Sequence, residues 1–178
     1  MRVRGFAIEP GASLVAVNLA ETRLLNARLQ GAVLFRANLT AANLQYANLR
    51  GANCREVNFV DADLRHAYLV DADLTGASLH RAQLDGADLR RAALCGLDLA
   101  EVRFGRVNLE GANLTDAILR GARLLNAVLH SATLQKADLY GANLQRCDLR
   151  GADLLGANLF DTRLEHAVYD EGTGFPDG

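Results

Sequence analysis

Three cysteines, four histidines and twenty-one acidic residues are the side chains of this sequence best able to carry chemistry. Two thiols within reach would make a disulfide, and thiols with imidazoles would make a tetrahedral metal site. Two facing carboxylates would make a general acid and base. Each arrangement needs its members within a few ångströms. Cys54, Cys95 and Cys147, and likewise His66, His80, His130 and His166, lie far apart along the chain. Only a regular element that returns the chain to the same place could bring them together.

Such an element is written into the leucines. Between Asp138 and Phe160 they fall at Leu139, Leu144, Leu149, Leu154 and Leu159. Five residues advance an α-helix by about 140°, which scatters the leucines around it. On a strand an odd spacing flips each leucine to the other face. The pattern is buried on one side only if each five-residue unit forms one side of a closed coil. Four units then make a square coil of twenty residues, and stacked coils bury a continuous column, as in a solenoid.

The centre of the unit runs in phase from Leu14 to Leu164 and Tyr169, with Cys54, Phe59 and Phe104 as the other departures from leucine. Two places earlier stands a small residue, usually Ala, with Val17, Val57, Leu97, Val102, Val107, Cys147, Thr22 and Thr162 as exceptions. Two places later glycine is frequent, as at Gly31, Gly51 and Gly111, where a corner is expected. Asn or Asp before the centre suits the same bend. About eight coils stacked at about 4.8 Å give a rod of about 38 Å.

This geometry answers the chemical question. Cys54 and Cys147 face inward about 19 Å apart, beyond disulfide reach, and serve as core fillers. Cys95 faces outward. Unpaired cysteines fit a reducing compartment. His66 and His166 share a column five coils apart, and His80 and His130 lie on opposite sides. Aligned pairs such as Asp138 and Asn158 follow from the repeat. No glycine-rich phosphate loop leads into a helix, and a solid core leaves no interior pocket. The expectation is a non-enzyme with no cofactor, no metal and no small-molecule substrate.

The units "GADLR", "GANLT", "GADLL" and "GANLF" resemble the A(D/N)LxG unit of the pentapeptide-repeat proteins, over roughly residues 12–169. The ending "YDEGTGFPDG" resembles that of many cyanobacterial members. The resemblance implies an all-β fold, a right-handed, four-sided parallel β-helix with minimal helix. The expected divisions are an N-terminal cap over 1–11, the β-helix over 12–171 and a tail or cap over 172–178. Pro10 and Pro176 stand outside the repeat, where they remove no ladder bond. No apolar run approaches a membrane span. The opening "MRVRGFAIEPG" lacks the apolar stretch of a secretory signal, so the cytoplasm is expected.

Counting by twenty separates the surface into four sides. The side centred on Leu24 carries Arg23, Arg65, Arg103, Arg106, Arg123, Arg146 and Arg163 against Asp63, Asp85 and Glu165. The side centred on Leu19 carries Glu21, Asp61, Asp98, Glu101, Asp138 and Asp161 against Arg81 and Arg120. A net charge of −2 thus conceals a polarised rod. Its sides either select charged partners or reflect scatter and weak surface pairs. Tyr140 and Phe160 should stack on adjacent coils, with Leu155, Val168 and Phe175 close to the same end. These residues form either a homodimer interface or a cap under the tail. At the other end Phe6 and Ile8 read as cap.

Three functions compete. A rigid scaffold for another protein is favoured by differentiated sides and the lack of a catalytic constellation. The resemblance points the same way, since cyanobacterial relatives include regulators of heterocyst development that act through protein contacts. Other relatives mimic DNA toward gyrase or another topoisomerase and confer quinolone resistance. Those are richer in phenylalanine, sometimes carry loops, and are more strongly acidic. A mimic must present dense negative charge, which the arginine side opposes. Direct nucleic-acid binding is opposed by a pI near 6.1 and by few aromatics beside the arginines.

Overall fold

The computed structural model describes residues 1–176. Asp177 and Gly178, the end of the expected tail, lie outside them. A short antiparallel hairpin opens the chain, pairing β1 (Arg2–Val3) with β2 (Phe6–Ala7). From Ser13 onward the chain coils with a period of twenty. Ser13 pairs in parallel with Val33, Val33 with Asn53 and Asn53 with Asp73, and the same offset holds as far as Asp148 with Val168. There is no helix among the described residues. The architecture is the all-β, four-sided parallel solenoid expected.

Each corner is a hydrogen-bonded turn. Ala27 N–H donates to Leu24 O at 2.9 Å, and the third turn residue, Asn26, has φ 57°. This is the backbone of a type II turn. The left-handed residue is always the second after the centre. Glycine there carries no Cβ penalty, yet Asp61, Arg91 and Lys136 hold the same conformation. A non-glycine residue in this region costs roughly 1–2 kcal/mol. The stacked coils hold it in place, since the corner N–H also bonds the next coil: Asp61 N–H donates to His80 O at 3.0 Å. The Asn or Asp before the centre braces the turn from outside. Asn43 Oδ1 accepts the N–H of Gln45 at 3.1 Å, and Asn113 Oδ1 that of Thr115 at 3.0 Å.

Leucine centres and the alanines two places earlier form one apolar column from Ile8 to Ala157. Phe59 and Phe104 are its largest members. Thr22 and Thr162 satisfy their hydroxyls on Leu19 O (2.6 Å) and Leu139 O (2.8 Å).

The two ends differ. At the first coil Ile8 is buried and Val3 packs on the column. Arg4 donates to Ala20 O at 2.8 Å and Asn18 O at 3.4 Å, carbonyls that have no coil beneath them. At the last coil the register slips by one: Asp153 pairs with Gly174. Asp170 covers the slip. Its Oδ1 accepts the N–H groups of Gly151 (2.9 Å) and Gly172 (3.0 Å). Beyond this the end is open. Leu159, Leu164 and Ala167 are only partly buried. Tyr169, at a position expected to fill the core, is 62% exposed because no coil covers it. Phe175 meets it edge-on at 5.4 Å and packs against the column, which gives this residue a capping place.

One stretch breaks the ladder. Gly76, Leu79 and Arg81 donate no backbone hydrogen bond to the coil above, nor does Asp98 to the coil below, and Ser78 and Asp98 do not pair. Glu101 likewise donates to no backbone carbonyl above it, while Arg103 still pairs with Arg123. Among the corner residues from Ala16 to His166, Glu101 alone lacks a positive φ. The cause lies inside the coil. Leu97 is the one leucine at a position otherwise held by small or medium side chains, and Val102, Phe104 and Val107 follow it. Val57 with Phe59 does not open the ladder: Phe59 N–H still donates to Ser78 O at 2.8 Å. The added bulk of Leu97 distinguishes the broken stretch.

Two outcomes follow from this packing. Leu84→Ala, at a site 1% exposed, should lower stability by about 2–5 kcal/mol in chemical denaturation; a loss below about 0.5 kcal/mol would place Leu84 outside the core. The Asp170 carboxyl is held below its usual range, first by the Gly151 N–H and then by Thr173 and Gly172. Its contribution is complete above the unfolded value of 3.8 and is lost as pH falls through the lowered folded value. Asp170→Ala should release residues 170–176 to proteolysis at neutral pH, and wild-type protein should show the same release only in acid.

Candidate interaction surfaces

The twenty-residue offset decides which charges meet. Residues one coil apart in the same column pair directly: Arg81 with Asp61, Arg91 with Asp71 and Arg36 with Glu56, each at 2.7 Å. Other arginines fold back two residues along their own side, as Arg65 does to Asp63 (2.7 Å), Arg90 to Asp88 (2.7 Å) and Arg150 to Asp148 (2.6 Å). Sorting residues by side alone misses these pairs, while matching each residue to the one twenty ahead would have found the column pairs.

Pairing neutralises part of each charged side. On the acidic side Asp61 is taken by Arg81, whose hydrogen bonds hold its carboxyl below the usual range. Asp138 is taken by Arg120 and also accepts from Asn158 (3.0 Å), and its carboxyl is lowered chiefly by Arg120. Glu101 lies 3.5 Å from His80. Glu21, Asp98 and Asp161 have no cationic partner among the described residues. On the basic side Arg65 is paired, Arg163 reaches Glu165 at 3.7 Å and Arg103 reaches Asp85 only at 3.9 Å. Arg23, Arg106, Arg123 and Arg146 have no carboxylate partner among the described residues. Positive charge is therefore free mainly from Arg103 upward.

Three open recesses lie on the basic side or at its corner with the acidic side. One of about 500 Å³ is lined by Leu125, Gln145, Arg146, Glu165 and His166. One of about 300 Å³ lies around Asp85, Arg103, Gly105, Arg106 and Arg123. One of about 500 Å³ lies between Ala100–Arg103 and Gly121–Arg123. Lower on this side Tyr46 stacks on His66 at 5.0 Å, and His66 lies over Gly86, where a Cβ would fall 2.5 Å from its Nδ1.

Toward the open end Tyr140 and Phe160 stack at 5.7 Å with ring planes 6° apart. Phe160 is 71% exposed, and Leu155 and Val168 are about half exposed on other sides of the rod. These residues surround the end and do not form one continuous patch on a side. Phe175 is drawn inward, as described above.

The thiols are arranged for packing. Burial pushes Cys54 up to about 12 and Cys147 up to about 12. Cys147 Sγ lies 2.9 Å from Leu124 O, and Cys95 is free and half-buried. No group of three or more His, Cys, Asp or Glu that could hold a metal occurs among the described residues. No helix among the described residues is long and apolar enough to cross a membrane.

Comparison with known proteins agrees with the coil. The family model described as pentapeptide repeats matches residues 12–51, 37–76, 77–116, 108–146 and 137–167. The chain is 36% identical to the pentapeptide-repeat protein Rfr23 from the cyanobacterium Cyanothece 51142, covering 58% of this chain and 63% of that one, with a TM-score of 0.39. It thus spans less than two thirds of Rfr23. It is 30% identical to HetL of the cyanobacterium Nostoc sp. strain PCC 7120, a pentapeptide-repeat protein involved in regulation of heterocyst differentiation, over 89% of this chain and 87% of that one (TM-score 0.34). QnrB1, a plasmid-mediated fluoroquinolone resistance protein, shares the fold at 19% identity over 92% of each chain, with a TM-score of 0.54. No curated protein matches. The unbroken five-residue unit, the twenty-residue coil and the family match together show that this chain belongs to the pentapeptide-repeat family.

Proposed function

We propose that the protein is a non-catalytic scaffold that binds another protein through the upper part of its basic side. The observation that carries this reading is the cluster of unpaired arginines on the upper part of the basic side. Arg106, Arg123 and Arg146 have no carboxylate partner among the described residues and stand on adjacent coils, whereas the unpaired Glu21, Asp98 and Asp161 are spread along the acidic side. Charge left free on a rigid side steers a complementary partner. The three free cysteines support a reducing compartment such as the cytoplasm. The involvement of HetL in a regulatory process supports a regulatory role in a bacterium. Mimicry of DNA is the weaker reading, because it requires the acidic side to stay densely charged.

A second contact is proposed at the open end. The exposed Tyr140 and Phe160 stack, with Leu155 and Val168 around the partly buried Leu159 and Leu164, suits pairing with a second copy.

Capture from a bacterial lysate tests the scaffold. Wild-type protein should retain a partner that Arg106→Glu/Arg146→Glu loses; an unchanged set of partners removes the basic side from the account. For the end contact, light scattering should give a dimer that Phe160→Asp converts to monomer, and a monomeric wild type refutes it.

A further inference from the structure

The free arginines and the break in the ladder meet at one place. The recess between Ala100–Arg103 and Gly121–Arg123 opens beside Glu101, whose corner N–H donates to no backbone carbonyl of the coil above. Arg103 and Arg123 flank it, and Arg106 stands on the next corner. Asp85, the nearest acid to Arg103, is engaged elsewhere. Its Oδ1 accepts the N–H of Gly105 at 3.1 Å, in space that a Cβ on Gly105 would take, leaving 3.9 Å between Asp85 and Arg103. Glu101, the other acid at the recess, faces His80 at 3.5 Å. Three guanidinium groups on two adjacent coils thus stand beside the Glu101 N–H, which has no acceptor among the described residues.

We propose that this notch is the docking site for an acidic, extended segment of a partner protein. Carboxylates of the segment pair with Arg103, Arg106 and Arg123, a match that guanidinium geometry favours. A backbone carbonyl of the segment accepts from the N–H of Glu101. Nucleic acid suits the notch less well. Glu101 and the acidic side border it, and Phe104, the aromatic at the recess, is fully buried and offers no face for a base. The inference rests on the scaffold reading and adds the site and the chemistry of the partner.

The test is fluorescence anisotropy with the full chain and a labelled peptide of alternating Glu and Val, about ten residues long. A peptide with Lys in place of Glu and a short DNA duplex serve as comparisons. The Glu peptide should bind wild type, weaken as salt rises, and lose about tenfold or more in affinity for Arg103→Glu/Arg123→Glu. Arg28→Glu/Arg50→Glu, a matched reversal on the side centred on Leu29, should bind as wild type does. Arg103→Gln/Arg123→Gln removes the charge without reversing it and should also bind weakly, with an unchanged circular dichroism spectrum. No binding of the Glu peptide, equal loss in both Glu variants, or equal affinity for the Lys peptide or the duplex would overturn the proposal. If the peptide fails while lysate capture still depends on the basic side, the notch is wrong and the scaffold reading stands.

Discussion

The interior of a twenty-residue coil has room for one large and one small side chain per side, and the structure depends on that limit. Leucine at the centre and alanine two places before it fill the space, and the backbone outside must turn at each unit. The turn puts one residue in five in the left-handed region. Non-glycine residues such as Asp61 and Arg91 accept it because neighbouring coils bond the corner they occupy. Burial of roughly 1.5–3 kcal/mol per leucine offsets the cost of that strain and of ordering the chain. Core, corners and ladder therefore stand together.

The same limit explains where the rod is irregular. Leu97 exceeds the space allowed at its position, and the ladder opens around it. At the C-terminal end the column has no further coil, so Tyr169 is left outside and Asp170 and Phe175 close the last turn. Surface chemistry is then a matter of register. A twenty-residue offset brings Arg81 onto Asp61 and Arg91 onto Asp71, while Arg106 and Arg123 have no carboxylate partner among the described residues. Function in such a rod resides in what remains unpaired on flat sides, since the column is full.

Much of this was legible in the residues. The leucine spacing fixes the coil, the inward thiols and the stacking of Tyr140 on Phe160 without any coordinates. The candidate surface was legible only in part. Sorting by side finds Arg103, Arg106 and Arg123 but treats every charge as free, because pairing depends on side-chain reach between coils. The exceptional Leu97 is visible in the sequence, but its effect is not. The response depends on how neighbouring side chains pack, and around Val57 and Phe59 the ladder stays closed. The fate of the tail is equally hidden, because the one-residue slip at Asp153 and Gly174 breaks the period on which the reading relies.

Amide hydrogen exchange, resolved by residue in wild type and in Leu97→Ala, tests most directly whether the size of the inner column sets the continuity of the ladder. Leu79, Arg81, Asp98 and Glu101 should exchange fast in wild type beside slow neighbours such as Leu64 and Leu114. The smaller residue should bring the fast set to the rate of the rest. Uniform protection in wild type, or a fast set unchanged by Leu97→Ala, would contradict the account.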